Sequence, residues 1–279
     1  MRVAVTGSAG TLGGFTVSLL SEEGHAVFGV DLSGPAGPGF TRVDLTDYGQ
    51  TLDAFHGVTA RHRGLDALVH LAAIPVNGLV PDATTFHTNM AISFNVFHAA
   101  LRAGIRTVVY ASSITAMGFP FDEPPPYLPV DERVVAAYCT YGLVKTMEEG
   151  MARQLVRWDP ELSITALRFT NIVRPGQYAE FGPPGDPVYR RDLLGSYVDV
   201  RDCARAIDLA LRSARPGFAV YDIAASDTGL SVPSAELART WFPDTPVTKP
   251  LGEFETLVSI DAARRDLGFE PRHLWRAER

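Results

Sequence analysis

Short runs of β-branched and small apolar residues recur along the chain at 2–6, 26–31, 66–72, 106–112, 163–168 and 218–223. Glycine, proline or polar residues bound each run, which is the mark of a buried strand. Between most of them lie segments with apolar positions at helical spacing, around 12–23, 48–62, 84–103 and 138–157. Strands alternating with helices predict a parallel sheet covered on both faces, an α/β doubly wound architecture. The rhythm breaks over 171–196, which carries Pro175, Gly176, Gly182, Pro183, Pro184, Gly185 and Pro187. Regular structure resumes with Ser196-Tyr-Val-Asp-Val-Arg-Asp202, and two more helices are expected near 231–241 and 260–267. The expected division is a nucleotide-binding core over 1–170, rejoined by 197–225, and a small C-terminal substrate lobe made from 171–196 and 226–279.

The segment 84–103 carries two apolar stripes. Phe86, Met90, Phe94, Phe97 and Leu101 form one, and Ile92, Val96, Ala99 and Ala103 the other. One can cover the sheet while the other is left for a partner or for more of the same subunit.

A chain of 279 residues, 46% of them hydrophobic, buries a full core without a disulfide or metal staple. The net charge of −7 argues against a broad nucleic-acid surface, because neutralising phosphates requires concentrated Lys and Arg. Cys139 and Cys203 form no closely spaced motif and read as reduced thiols. No apolar run approaches membrane-spanning length and the chain opens on a strand pattern, so a cytoplasmic protein with a small-molecule substrate is expected. The seven histidines form no compact ligand set, and no metal is expected.

Candidate chemistry begins at the first strand's end, with Thr6-Gly-Ser-Ala-Gly-Thr-Leu-Gly13. A strand-to-helix turn needs glycine where the backbone bends sharply or approaches a phosphate, and the helix N-terminus offers N–H donors to a pyrophosphate. Gly7, Gly10, Thr11, Leu12 and Gly13 are therefore assigned to a dinucleotide. Asp31 ends the second strand, where a carboxylate accepts from adenosine ribose hydroxyls. Leu32, Ser33 and Gly34 follow it with no Arg or Lys for a 2′-phosphate, which favours NAD over NADP. Asp44 and Leu45, after the third strand, are placed to meet the adenine. Leu71, Ala72 and Ala73, after His70, are small or apolar residues that let the backbone approach the cofactor. Asn89, on the next helical segment, completes the expected set.

Tyr141-Gly-Leu-Val-Lys145 puts a phenol and an ammonium on one helical face. A phenol ordinarily titrates near about pH 10, too high for an efficient base, but an adjacent ammonium and an oxidised nicotinamide both favour phenolate. The chain has only two lysines, Lys145 and Lys249, so retaining one here is a notable choice of a compact ammonium over a guanidinium. Ser112-Ser113-Ile-Thr115 follows the fifth strand, bringing hydroxyls to the carboxyl end of the sheet. Ser113 is assigned to hydrogen-bond the reacting oxygen, with Ser112 and Thr115 as substitutes.

The glycine turn, Asp31, Ser113 and Tyr141-x-x-x-Lys145 together resemble the extended short-chain dehydrogenase/reductase superfamily, in its NAD-dependent epimerase/dehydratase branch. Leu167-Arg-Phe-Thr-Asn171, Tyr197-Val-Asp-Val-Arg-Asp-Cys-Ala-Arg-Ala206 and Leu267-Gly-Phe-Glu-Pro271 extend the resemblance along nearly the whole chain. It implies a Rossmann-type core, NAD with its nicotinamide beside Ser113 and Tyr141, Lys145 on the nicotinamide ribose, and a homodimer built from two helices per subunit. Asn171 is implied as a substrate contact.

The compact 172–196 excursion favours a smaller sugar or sugar acid, a uronate or aldose oxidised at a secondary alcohol. The alternatives are a nucleotide-sugar 4-epimerase using the same tyrosine and a non-catalytic NAD-sensing regulator. Arg174, Tyr178, Arg190 and Arg191 supply donors for a carboxylate or phosphate, and Ser113 and Thr115 are also expected to contact the substrate. Phe119-Pro-Phe-Asp-Glu-Pro-Pro-Pro-Tyr127 is expected either to wall the pocket or to cross the surface as a stiff connection.

Overall fold

A computed structural model describes residues 1–34, 37, 39–57, 62–121, 123–181, 185–186 and 188–277. In chain order its elements are β1 (Arg2–Thr6), α1 (Thr11–Glu22), β2 (Ala26–Asp31), β3 (Phe40–Arg42), α2 (Tyr48–His56), β4 (Ala67–His70), α3 (Asp82–Arg102), β5 (Thr107–Ser113) and α4 (Thr140–Leu155). Next come β6 (Ser163–Phe169), β7 (Ile172–Val173), β8 (Val198–Asp199), α5 (Val200–Arg212), β9 (Gly217–Ile223), α6 (Ser234–Trp241) and α7 (Asp261–Leu267).

Among the described residues the central sheet has seven parallel strands in the order β3-β2-β1-β4-β5-β6-β9. Alternation along the strands sorts side chains to two faces. Val3, Val5, Val69 and Val109 face Leu20 of α1 and Ile207 of α5. Ala4, Leu68, Val108 and Tyr110 face Phe55 of α2, Phe97 of α3 and Ala152 of α4. Both faces are thus covered, as the sequence pattern predicts, and this is a Rossmann-type α/β fold. Chain progression reverses between β1 and β4, which opens a crevice at the carboxyl ends of those strands.

Two elements differ from expectation. α2 stops at His56 because Gly57, at φ 69°, caps it in the left-handed region, and the remainder expected over 58–61 lies outside the described residues. The 171–196 excursion contains the two-residue strand β7, which pairs with β8. Its residues 182–184 and 187 lie outside the described residues. The C-terminal segment contributes Leu230, Leu237, Trp241, Leu257, Val258 and Phe269 to the same apolar cluster as the sheet, so it shares the core of the sheet. A smaller cluster of Val173, Tyr178, Phe181, Tyr197, Ala225 and Trp275 closes the excursion against the C-terminus.

Candidate active site

The crevice widens into a cavity of about 1300 Å³ that runs from Asp31, Asp44 and Leu45 past the glycine turn to Ser113, Thr115, Tyr141, Lys145, Asn171 and Arg174. At the turn, Gly7 adopts φ 71° and its N–H donates to Val30 O at 2.9 Å. A Cβ on Gly7 would stand 2.7 Å from Ala72 N, and one on Gly13 only 2.0 Å from Gly7 O. Gly10 caps α1 without any side-chain hydrogen bond, so the first N–H groups of the helix stay available to an anion. This is a close-approach cradle that a dinucleotide pyrophosphate fits.

Asp31 Oδ2 accepts from Ala9 N at 3.0 Å, which fixes the carboxylate at the cavity edge with capacity left for ribose hydroxyls. Asp44 also lines the cavity, and its Oδ1 is held by Thr46 N at 2.9 Å and Thr46 Oγ1 at 2.6 Å. Leu71, Ala72 and Ala73 line the cavity too. Thr6 Oγ1 accepts from Leu71 N and Ala72 N at 3.2 and 3.4 Å.

Asn89 is a correction. It is fully buried and spends its amide on Ile74, accepting from its N at 2.8 Å and donating to its O at 3.0 Å. It braces the loop after β4 rather than lining the cavity.

Ser113 ends β5 and its Oγ accepts from Thr115 N at 3.1 Å, leaving its proton free to donate into the cavity. Ser112, the substitute, is buried and donates to Glu149 Oε1 at 2.8 Å. Tyr141 lies in the first turn of α4, capped by Cys139, and Lys145 one turn further on. The Lys145 Nζ stands 5.5 Å from the Tyr141 ring centre and donates to Ala111 O and Glu148 Oε2, each at 2.9 Å. Burial raises the Tyr141 phenol above its ordinary pKa; Lys145 pulls it back down, while Glu148 and Cys139 push it up. Burial also opposes the Lys145 ammonium, but the facing Glu148, Tyr141 and Glu149 outweigh it and hold the pKa above its ordinary value.

On the lobe side, Arg174 and Asn171 reach the cavity, and Gln177 Oε1 steadies Arg174 by accepting from its N at 2.9 Å and its Nε at 3.3 Å. Lys145 and Arg174 are the two cations among the described lining residues. Tyr178 is the second correction: it is buried and donates to Asp199 Oδ2 at 2.6 Å, inside the cluster with Phe181 and Tyr197. Arg190 and Arg191 serve the lobe too, donating to Ser196 O and Trp241 O and lying over Phe181 and Phe242. Of the 119–127 stretch, Pro120 lines the cavity while Phe119 and Phe121 enter the core; Asp122 lies outside the described residues. Loop residues Pro75, Val76, Asn77, Tyr138 and Leu193 also line it, and none carries a periodic or motif signal in the sequence.

The model of the NAD dependent epimerase/dehydratase family matches residues 3–185, which hold the glycine turn, Asp31, Ser113, Tyr141 and Lys145. The chain belongs to that family. It is therefore an enzyme of the NAD-dependent epimerase/dehydratase type, and NAD is its cofactor. Among relatives of this epimerase/dehydratase-family chain, UDP-glucose 4-epimerase 3 of Oryza sativa subsp. japonica is 28% identical over 97% of this chain and 85% of its own length. The UDP-glucose 4-epimerase of Drosophila melanogaster is 29% identical over 75% of this chain and 70% of its own. In fold, the chain is similar to a short-chain dehydrogenase/reductase superfamily protein of Agrobacterium tumefaciens solved with NAD. That match has a TM-score of 0.74, 22% identity, and covers 100% of this chain and 94% of the other. The UDP-glucose-4-epimerase of Stenotrophomonas maltophila, solved with NAD and formylated UDP-arabinopyranose, superposes with a TM-score of 0.72 at 23% identity, over 99% and 94% of the two chains.

Proposed function

We propose that this protein inverts a secondary-alcohol carbon of a nucleotide-linked sugar, in the manner of a 4-epimerase. The reading is carried by one observation: Ser113, Tyr141 and Lys145 converge on the cavity that also holds the glycine turn and Asp31. Its epimerase form is supported by the UDP-glucose 4-epimerases among the relatives. NAD, when bound, supplies the hydride acceptor and then the hydride donor.

Tyr141 Oη takes the hydroxyl proton as the carbon is oxidised and returns it after the face is exchanged. Ser113 Oγ donates a hydrogen bond to the reacting oxygen, and Lys145 Nζ keeps a positive charge beside the phenol. Arg174 and Asn171 hold the far end of the substrate, the guanidinium pairing with phosphate or carboxylate.

A second reading is favoured by chain length. The alignment with the rice relative runs over 323 positions, against 279 residues here, so at least 44 of that relative's aligned residues have no counterpart. A shorter chain of this kind suits net dehydrogenation of a smaller sugar acid or aldose.

One assay separates the two. Purified protein with NAD is offered UDP-sugars, uronic acids and aldoses, following NADH absorbance and C4 configuration. Inversion without NADH accumulation supports the epimerase; NADH accumulation supports the dehydrogenase. Tyr141→Phe is expected to lose at least about 100-fold of either activity while retaining NAD binding. Undiminished turnover in that variant would overturn the role given to Tyr141.

A further inference from the structure

Beneath the cavity, Glu148 is fully buried with both oxygens occupied. Its Oε2 accepts from Lys145 Nζ at 2.9 Å, and its Oε1 from Ser93 Oγ at 2.6 Å. Ser93, on α3, stands 3.5 Å from His70 Nε2, and His70 Nδ1 lies 2.7 Å from Thr6 Oγ1. Burial first, then the Lys145 charge, depresses the His70 pKa to about 3, so the imidazole is neutral and carries one N–H.

The protons along this chain can be assigned in turn. Thr6 Oγ1 already accepts from Leu71 N and Ala72 N, so its own hydrogen goes to His70 Nδ1. The His70 N–H is then on Nε2, directed at Ser93, and the Ser93 hydrogen goes to Glu148. Every donor runs one way, and Glu148 ends the row, accepting at both oxygens.

We propose that Glu148 is a positioning residue, which holds Lys145 against the Ala111 carbonyl, compensates the ammonium charge beside Tyr141, and orients Ser93 to accept from His70 Nε2–H. The backbone cradle at Leu71 and Ala72 is thereby tied to the catalytic helix. The proposal rests on the reading of Tyr141 and Lys145 given above. The other titratable groups around this centre are Cys139 and Glu149 of α4 and its cap, Tyr110 of β5 and Arg168 of β6. Glu149 is committed to Arg168 through two 2.8 Å hydrogen bonds, so it cannot stand in for Glu148.

In Glu148→Gln the charge on Lys145 is uncompensated, so Tyr141 ionises at lower pH. The amide N–H faces Ser93, whose oxygen then accepts from both the amide and His70 Nε2–H while its own hydrogen loses the Glu148 acceptor, which disturbs the His70 contact. Both changes are read on substrate-free protein: phenolate absorbance with Tyr141→Phe as the blank, and His70 ring ¹⁵N shifts. Expected are roughly threefold or more phenolate at a fixed pH on the rising limb and a shifted His70 Nε2 resonance. Glu148→Asp keeps the charge, so its Tyr141 titration stays near that of the unsubstituted protein. Ser93→Ala cuts only the His70 arm, removing the partner of His70 Nε2–H and so shifting that ¹⁵N resonance, with the tautomer retained and the Tyr141 titration unmoved. An unmoved Tyr141 titration in folded Glu148→Gln, an equal shift in Glu148→Asp, or an unchanged His70 in Ser93→Ala overturns the proposal. If Glu148→Gln does not fold, the other two variants decide it. Turnover is not among these readouts, so a failed assignment of Tyr141, seen as turnover surviving Tyr141→Phe, is distinguished from a failed assignment of Glu148.

Discussion

Asp222 sits on β9 opposite Arg168 in register, with neither carboxylate oxygen hydrogen-bonded. Arg168 Nη1 is 3.8 Å away, and Glu132 accepts from the Asp222 backbone N at 3.0 Å. Burial, then the Glu132 charge, pushes the Asp222 pKa well above its ordinary value, with Arg168 as the partial counterweight. The folded state therefore binds a proton that the unfolded state has released, and stability falls as pH rises from the unfolded pKa toward the folded one. Asp222→Asn removes that loss. The variant is expected to melt at a higher temperature than the unsubstituted protein at neutral pH, with the gap closing toward acid pH. Thermal melts across pH check it, and a gap that does not vary with pH would refute the assignment. Residues of this kind mark where sequence reading stops. Tyr141 and Lys145 were legible because helical spacing places them on one face, and Gly7 and Gly13 because only glycine fits where their Cβ atoms would collide with backbone. Glu148 and Tyr178 were not. A charged helix residue reads as solvated and a loop tyrosine reads as available, until α3 and Asp199 are seen to meet them.

At the scale of the element, α1 offers a test with opposite signs at adjacent residues. A Cβ on Gly13 would lie 2.0 Å from the Gly7 carbonyl oxygen, which is backbone and cannot swing aside. Gly14, next in the same helix, is exposed and has nothing within 4 Å of a Cβ. Gly13→Ala is expected to cost about 1–3 kcal/mol, roughly 2–4 °C of Tm for each kcal/mol, and to weaken NAD binding. Gly14→Ala is expected to gain about 0.5–1 kcal/mol from helix propensity alone. Calorimetry with NAD titration reads both, and a Gly13→Ala protein of undiminished stability and affinity would remove the steric account of the turn. The helices and strands themselves were legible because burial on two faces of a sheet imposes periodicity. The end of α2 and the two-residue strands β7 and β8 were not, since a single glycine cap or a two-residue pairing leaves too short a pattern.

At the scale of the whole molecule, the two stripes expected on α3 separate only in part, because Phe97 of the first is buried on the sheet side with the second. Val96 and Ala99 are buried against the sheet, while Phe86 and Met90 are half-buried and Phe94 is 48% exposed. α4, packed beside α3, presents Leu143 and Met147 outward one turn apart, at 47% and 41% exposure. A single exposed apolar residue needs no explanation, but rows on two adjacent helices make a surface that a partner can cover. The occupant implied by the family resemblance is a second copy of the chain, and a two-fold axis would bring the same pair of helices together from each subunit. Leu143 and Met147 alternate with Tyr141 and Lys145 along α4, so such an interface would back the helix that carries the proton-transfer pair. Sedimentation at micromolar concentration is expected to give a dimer, and Phe94→Glu with Met147→Glu to give a folded monomer with reduced turnover. A monomeric unsubstituted protein would leave these rows without that partner. A dimer untouched by the double substitution would place the interface elsewhere.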